Sequence, residues 1–83
     1  VVRGNVQGVG FRWACEAQAR GLGVRGRVRN RRDGGVEVDA EGEPAALAAL
    51  VEWLHQGPRH AHVTSVQVSV VPPQGWHGFE IEL

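Results

Sequence analysis

Near the start of the chain, Gly8, Gly10 and Arg12 lie in the run G-N-V-Q-G-V-G-F-R from Gly4 to Arg12, and Asn30 follows further on. Their types and spacing suit the handling of a small anion. Gly8 and Gly10 take positive φ at no steric cost and carry no Cβ, so successive backbone N–H groups can converge on one point. The run joins a short apolar strand to a helix beginning near Phe11, and the free N–H groups of that helix's first turn aim the same way. Arg12 in that turn opposes the helix macrodipole, an error of about 0.3–1 kcal/mol that a bound phosphate removes. No Gly-Lys-Ser/Thr follows and the glycine spacing is not that of a dinucleotide fingerprint, so the cradle suits a single phosphate. Glycine-rich turns ahead of helices are also common as plain connections, which makes the surrounding elements decisive.

Those elements are legible from period and punctuation. Phe11, Cys15, Ala19 and Leu22 mark one side of a helix ending at Gly21 or Gly23, with Glu16 and Arg20 an i,i+4 pair on its wetter side. Val24, Gly26, Val28 and Asn30 alternate with Arg25, Arg27 and Arg29, and Val36, Val38 and Ala40 alternate with Glu37, Asp39 and Glu41. Arg32-Asp33-Gly34 between them predicts a three-residue hairpin loop with Gly34 left-handed. One register sets Arg29 opposite Glu37, Arg27 opposite Asp39 and Arg25 opposite Glu41. A slip by one residue would turn the valines outward, so this ion-pair row serves register more than stability, at about 0.2–1 kcal/mol for each exposed pair. A second helix starts at Pro44, buries Leu47, Leu50, Val51 and Leu54, and ends at Gly57-Pro58. A strand is predicted over about Val63–Val71, Pro72-Pro73 breaks the chain, and a last strand spans Phe79–Leu83 with Phe79, Ile81 and Leu83 inward.

The order is β-α-β-β-α-β plus a terminal strand, which predicts a ferredoxin-like α+β sandwich with both helices on one face of an antiparallel sheet. In that topology the loop after the first strand lies beside the end of the second, near Asn30. Asn30 shares the valine face of its strand, where asparagine is disfavoured. A turn-flanking Asn bonding its own backbone is the plainer alternative.

Length and charge limit the alternatives. Eighty-three residues, 42% hydrophobic and 22% charged, make one small globular domain spanning 1–83. The net charge is zero, but residues 1–32 hold eight arginines and one acid while residues 33–83 hold one arginine and eight acids. The arginine excess would suit nucleic acid were it not matched by the acids of the facing strand. The lone Cys15 cannot form an internal disulfide, and no apolar run approaches a membrane span, so the expectation is a cytoplasmic monomer with neither nucleic acid nor membrane as partner. The chain opens on Val1 and its first apolar run is short for a strand, so that strand is read as incomplete.

The 4–12 run, the Gly26-Arg27-Val28-Arg29-Asn30 strand end, the Asp33-Gly34 turn and the Val36-Glu37-Val38 strand together resemble the acylphosphatase family, from Val2 to Leu83. The resemblance implies that Gln7, Gly8, Val9, Gly10, Phe11 and Arg12 bind the phosphate and that Asn30 positions the attacking water. It departs at Asn5, a position often basic in the family. The implied substrate is a small acyl phosphate, with inorganic phosphate as product. An acyl phosphate releases a carboxylate, which departs without protonation, so positioning and charge stabilisation suffice and no general acid or cofactor is required.

No metal set is evident: His60 and His62 are two apart without a carboxylate or cysteine cluster, and His55 and His77 fall on other elements. Cys15 reads as a core thiol, and Trp13, Trp53 and Trp76 as cover for the core or the rim of the site. Two rival functions stand beside the hydrolase. One is an acylphosphatase-like module of a larger carbamoyl-phosphate-handling maturation enzyme, and the other a non-catalytic ferredoxin-like module binding RNA or a phosphorylated partner. The central strands lack the paired aromatics of RNA-binding sheets.

Overall fold

A computed structural model describes residues Val1–Leu83 as β1 (Val2–Asn5), α1 (Phe11–Leu22), β2 (Arg25–Asn30), β3 (Val36–Glu41), α2 (Pro44–Gln56), β4 (His62–Val66) and β5 (Phe79–Glu82). The strands form one sheet in the order β4-β1-β3-β2-β5. This is the ferredoxin-like α+β sandwich that the element order predicts. The three pairings among β4, β1, β3 and β2 are antiparallel, as expected, but β5 runs parallel to β2, so the sheet is mixed. The reason is topological: β5 reaches the free edge of β2 after a long connection, not through a hairpin. No helix is long and apolar enough to cross a membrane.

The core lies between helices and sheet. Val2, Val6, Val24, Val28, Val36 and Phe79 meet Phe11, Cys15 and Ala19 of α1 and Leu50 and Leu54 of α2. Burial pushes the Cys15 thiol up to about 12, so it remains protonated and unreactive. The β2–β3 register is the one the charge row predicts, with Arg25 opposite Glu41, Arg27 opposite Asp39 and Arg29 opposite Glu37. The loop between them is closed by the Arg31 N–H donating to Gly35 O at 2.8 Å, with Gly34 at φ 93 as the left-handed residue. Glu16 and Arg20 pair at 3.3 Å across one helical turn.

The expected strand over 63–71 is cut short. β4 ends at Val66, and Val68, Val70 and Val71 are exposed, Val70 at 97%. Strand propensity alone does not hold a strand. Gln67 and Val1 exchange both ladder bonds at 2.9 Å, and residues 68–71 have no strand opposite them. The 67–78 segment is tied down instead by Glu41, whose carboxylate accepts the N–H groups of Gln74, Gly75 and Trp76 at 2.7–3.3 Å. Leu83, expected inward, is also exposed, since β5 ends at Glu82.

Candidate functional site

Gly8 and Gly10 both have φ of 76, the left-handed conformation that the loop after β1 requires and that a β-carbon would strain. Gly10 is the N-cap of α1 and offers no side-chain acceptor to the helix's first N–H groups. Its carbonyl accepts from Ala14, but the N–H groups from Gln7 to Trp13 donate to no protein acceptor. A run of unpaired donors on one tight turn has the chemistry to hold an anion. Phe11 anchors this turn from below, packed against Trp53 of α2 with ring centroids 5.6 Å apart.

The cavity above the turn is small, about 80 Å³, and is lined by Val6, Gly8, Gly10, Phe11, Arg12, Trp13 and Asn30. Arg12 and Asn30, from a helix start and a strand end, thus share one pocket with the loop glycines. The Arg12 guanidinium is half-buried, and its Nη1 donates to the backbone oxygen of Glu82 at 3.3 Å. That bond uses one of five N–H donors, so the fork is oriented without being consumed. The plainer role for Asn30, a side chain serving its own turn, is filled by others: Gln7 donates to Arg31 O and Gly35 O, and Asp33 accepts the Gly35 N–H.

Of the residues expected to bind phosphate, Gly8, Gly10, Phe11 and Arg12 line the pocket. Gln7 and Val9 do not. The Gln7 amide points away to the hairpin turn, at 2.7 Å from Arg31 O and 2.9 Å from Gly35 O, leaving only its backbone N–H on the loop. Val9 is half-buried against the core. Sequence reasoning assigned no site role to Val6, which walls the pocket from its buried position, or to the Glu82 carbonyl; backbone acceptors carry no sequence signal. It read Trp13 only as cover or rim, and its position directly after Arg12 was the available clue.

A larger groove of about 540 Å³ lies elsewhere, lined chiefly by aliphatic side chains such as Val38, Leu47, Val51, Val66 and Val68. No group of three His, Cys, Asp or Glu side chains is close enough to hold a metal ion. On the hairpin turn, Asp33 is drawn down to about 2, chiefly by the Gly35 N–H and then by Arg31 and Arg3. This fixes the turn that follows Asn30.

Comparison with known proteins adds to this geometry. The acylphosphatase family profile matches residues 1–81. The acylphosphatase of Thermococcus kodakarensis is 51% identical over 80 residues, covering 96% of this chain and 88% of the relative. The crystal structure of acylphosphatase from Bacillus subtilis superposes with a TM-score of 0.95 at 40% identity, over 99% of this chain and 92% of that one. The crystal structure of T. kodakarensis HypF matches with a TM-score of 0.83 at 37% identity, over 99% of this chain but only 11% of that much longer one.

Proposed function

Since this chain belongs to the acylphosphatase family, we propose a division of labour among its own residues in the hydrolysis of acyl phosphates. The N–H groups of the 7–12 loop hold the phosphoryl oxygens, and Arg12 adds a charged, two-pronged donor. The Asn30 side-chain oxygen accepts a hydrogen bond from a water and holds it in line with the acyl leaving group. Attack forms the new P–O bond as the phosphorus–acyl oxygen bond breaks; the carboxylate leaves with that electron pair, and a phosphoryl oxygen takes the water's proton. The loop donors and Arg12 meet charge on the equatorial oxygens through the transition state, which is where fixed dipoles lower the barrier most.

The observation that carries this reading is the convergence of Arg12, Asn30 and the donor-rich glycine turn on one pocket sized for a phosphoryl group. The test is release of inorganic phosphate from benzoyl phosphate by the 83-residue chain with and without a chelator. Equal rates are expected, and inorganic phosphate competes as product. Loss of activity on chelation, restored by a divalent ion, would overturn the assignment of the work to these side chains alone.

The HypF match, which spans 11% of that longer chain, supports a second setting, in which the same pocket serves as one module of a larger enzyme, the carbamoyl-phosphate-handling kind weighed from the sequence. The local chemistry is then unchanged and the preferred substrate becomes carbamoyl phosphate, so the ratio of kcat/KM for carbamoyl phosphate to that for benzoyl phosphate distinguishes the settings. An RNA-binding role has less support, because Arg25, Arg27 and Arg29 are each paired with an acid at 2.7–3.9 Å. We also read residues 1–83 as one domain that acts in the cytoplasm and does not self-associate, which light scattering at micromolar concentration tests for its oligomeric part.

A further inference from the structure

The pocket of about 80 Å³ is far smaller than the roughly 300–1,000 Å³ cavities that enclose a whole drug-sized ligand. It takes the phosphoryl end of a substrate and leaves the acyl end outside, against the rim. Among the lining residues, Phe11 and Val6 are buried, the glycines have no side chain, and Arg12 and Asn30 are the ones engaged by phosphoryl group and water in the proposed reaction. Trp13 is the remaining side chain, and it is 80% exposed.

A lone exposed apolar side chain needs no explanation by itself. Indole, however, is buried on average in folded proteins, and the other two tryptophans have partners: Trp53 packs on Phe11, and Trp76 lies 5.1 Å beneath the Arg27 guanidinium. Trp13 forms no such ring or cation–π pair, although it borders the pocket beside Arg12 and the glycine turn. No acid lines that pocket to disfavour an apolar or anionic group there.

We infer that Trp13 is the acyl-specificity residue, a flat apolar platform that favours acyl phosphates of aromatic carboxylic acids over those of short aliphatic ones. The inference rests on the phosphoryl group occupying the glycine-loop pocket. An aromatic acyl group stacking on indole gains up to about a tenfold preference, the upper end for one aromatic pair, and the gain appears in KM more than in kcat because the platform touches no reacting atom.

The test pairs turnover with binding. In wild type, kcat/KM for benzoyl phosphate should exceed that for acetyl phosphate, and Trp13→Ala should shrink the ratio about tenfold, mostly through KM for benzoyl phosphate. Trp13→Phe should restore most of it. By calorimetry, benzylphosphonate should bind wild type about tenfold tighter than methylphosphonate, with the advantage lost in Trp13→Ala. A ratio unchanged within twofold in Trp13→Ala, or equal losses on both substrates, overturns the inference while leaving the phosphoryl site standing. Absence of turnover with the phosphonate preference intact overturns the hydrolytic assignment and keeps the platform. Failure of both phosphonates to bind overturns both.

Discussion

The Gln7 side-chain amide, on the loop after β1, donates to the carbonyl oxygen of Gly35 at 2.9 Å and to that of Arg31 at 2.7 Å. One side chain thereby bolts the anion loop to the turn of the β2–β3 hairpin, whose strand end carries Asn30. If the proposed roles of the loop and Asn30 hold, this clamp should govern the distance between them. Gln7→Leu, which removes both bonds but keeps the bulk, should cost about 1–2 kcal/mol of stability and lower kcat/KM although Arg12 and Asn30 are untouched. Chemical denaturation with parallel kinetics checks it, and a variant unchanged in both would show that the loop holds its own position.

Arg12→Ala should raise KM and lower kcat together, with a loss in kcat/KM of about 100-fold or more, because the guanidinium meets phosphoryl charge in ground and transition states alike. Arg12→Lys keeps the charge but not the fork and should recover only part of that loss. Steady-state kinetics on benzoyl phosphate measures both.

Asn30→Ala should separate turnover from binding. A water held in the wrong place costs about 100-fold in kcat, whereas competitive inhibition by inorganic phosphate should stay within about twofold. Loss of phosphate inhibition in Asn30→Ala, with its retention in Arg12→Ala, would reverse the two roles.

The hairpin turn has its own acid signature. Asp33 is drawn down to about 2 in the folded chain, first by the Gly35 N–H, against an unfolded value near 3.9. Its stabilising effect is therefore full above about pH 4 and is lost as pH falls toward 2. The melting temperature of Asp33→Asn should lie below wild type at neutral pH, with the gap closing across that window. A gap independent of pH would mean that the carboxylate's charge contributes nothing to the turn.

The paired charge row should matter for folding and not for chemistry. Arg25→Glu/Arg29→Glu sets like charges opposite Glu41 and Glu37 and should lower the melting temperature while leaving phosphate release from the folded fraction near wild type. Arg27 is left intact in this test because it also pairs with the Glu82 carboxylate at 2.9 Å, and the Glu82 carbonyl orients Arg12. Labelled single-stranded RNA titrated at low salt supplies the contrary outcome: saturable binding by wild type that falls steeply with salt and vanishes on reversal would restore a nucleic-acid role to this face.

Local pattern determined much of this protein. Periods of two and 3.6 residues marked the hairpin and both helices, the sign alternation of Arg25, Arg27 and Arg29 against Glu41, Asp39 and Glu37 set the register, and the glycines of the 4–12 run marked the left-handed turn ahead of α1. These features are legible because each depends on neighbours a few residues apart or on one short turn. Tertiary structure decided the rest. Val68, Val70 and Val71 alternate like a strand yet lie in the open, since a ladder needs an opposite strand and none faces them. The parallel docking of β5 on β2 depended on which edge was free. The bond from Arg12 to Glu82 O, the Gln7 clamp and the exposure of Trp13 at the pocket mouth join residues far apart in the chain, and two of the three end on backbone carbonyls. Every residue type offers that same acceptor, so no sequence pattern can mark it.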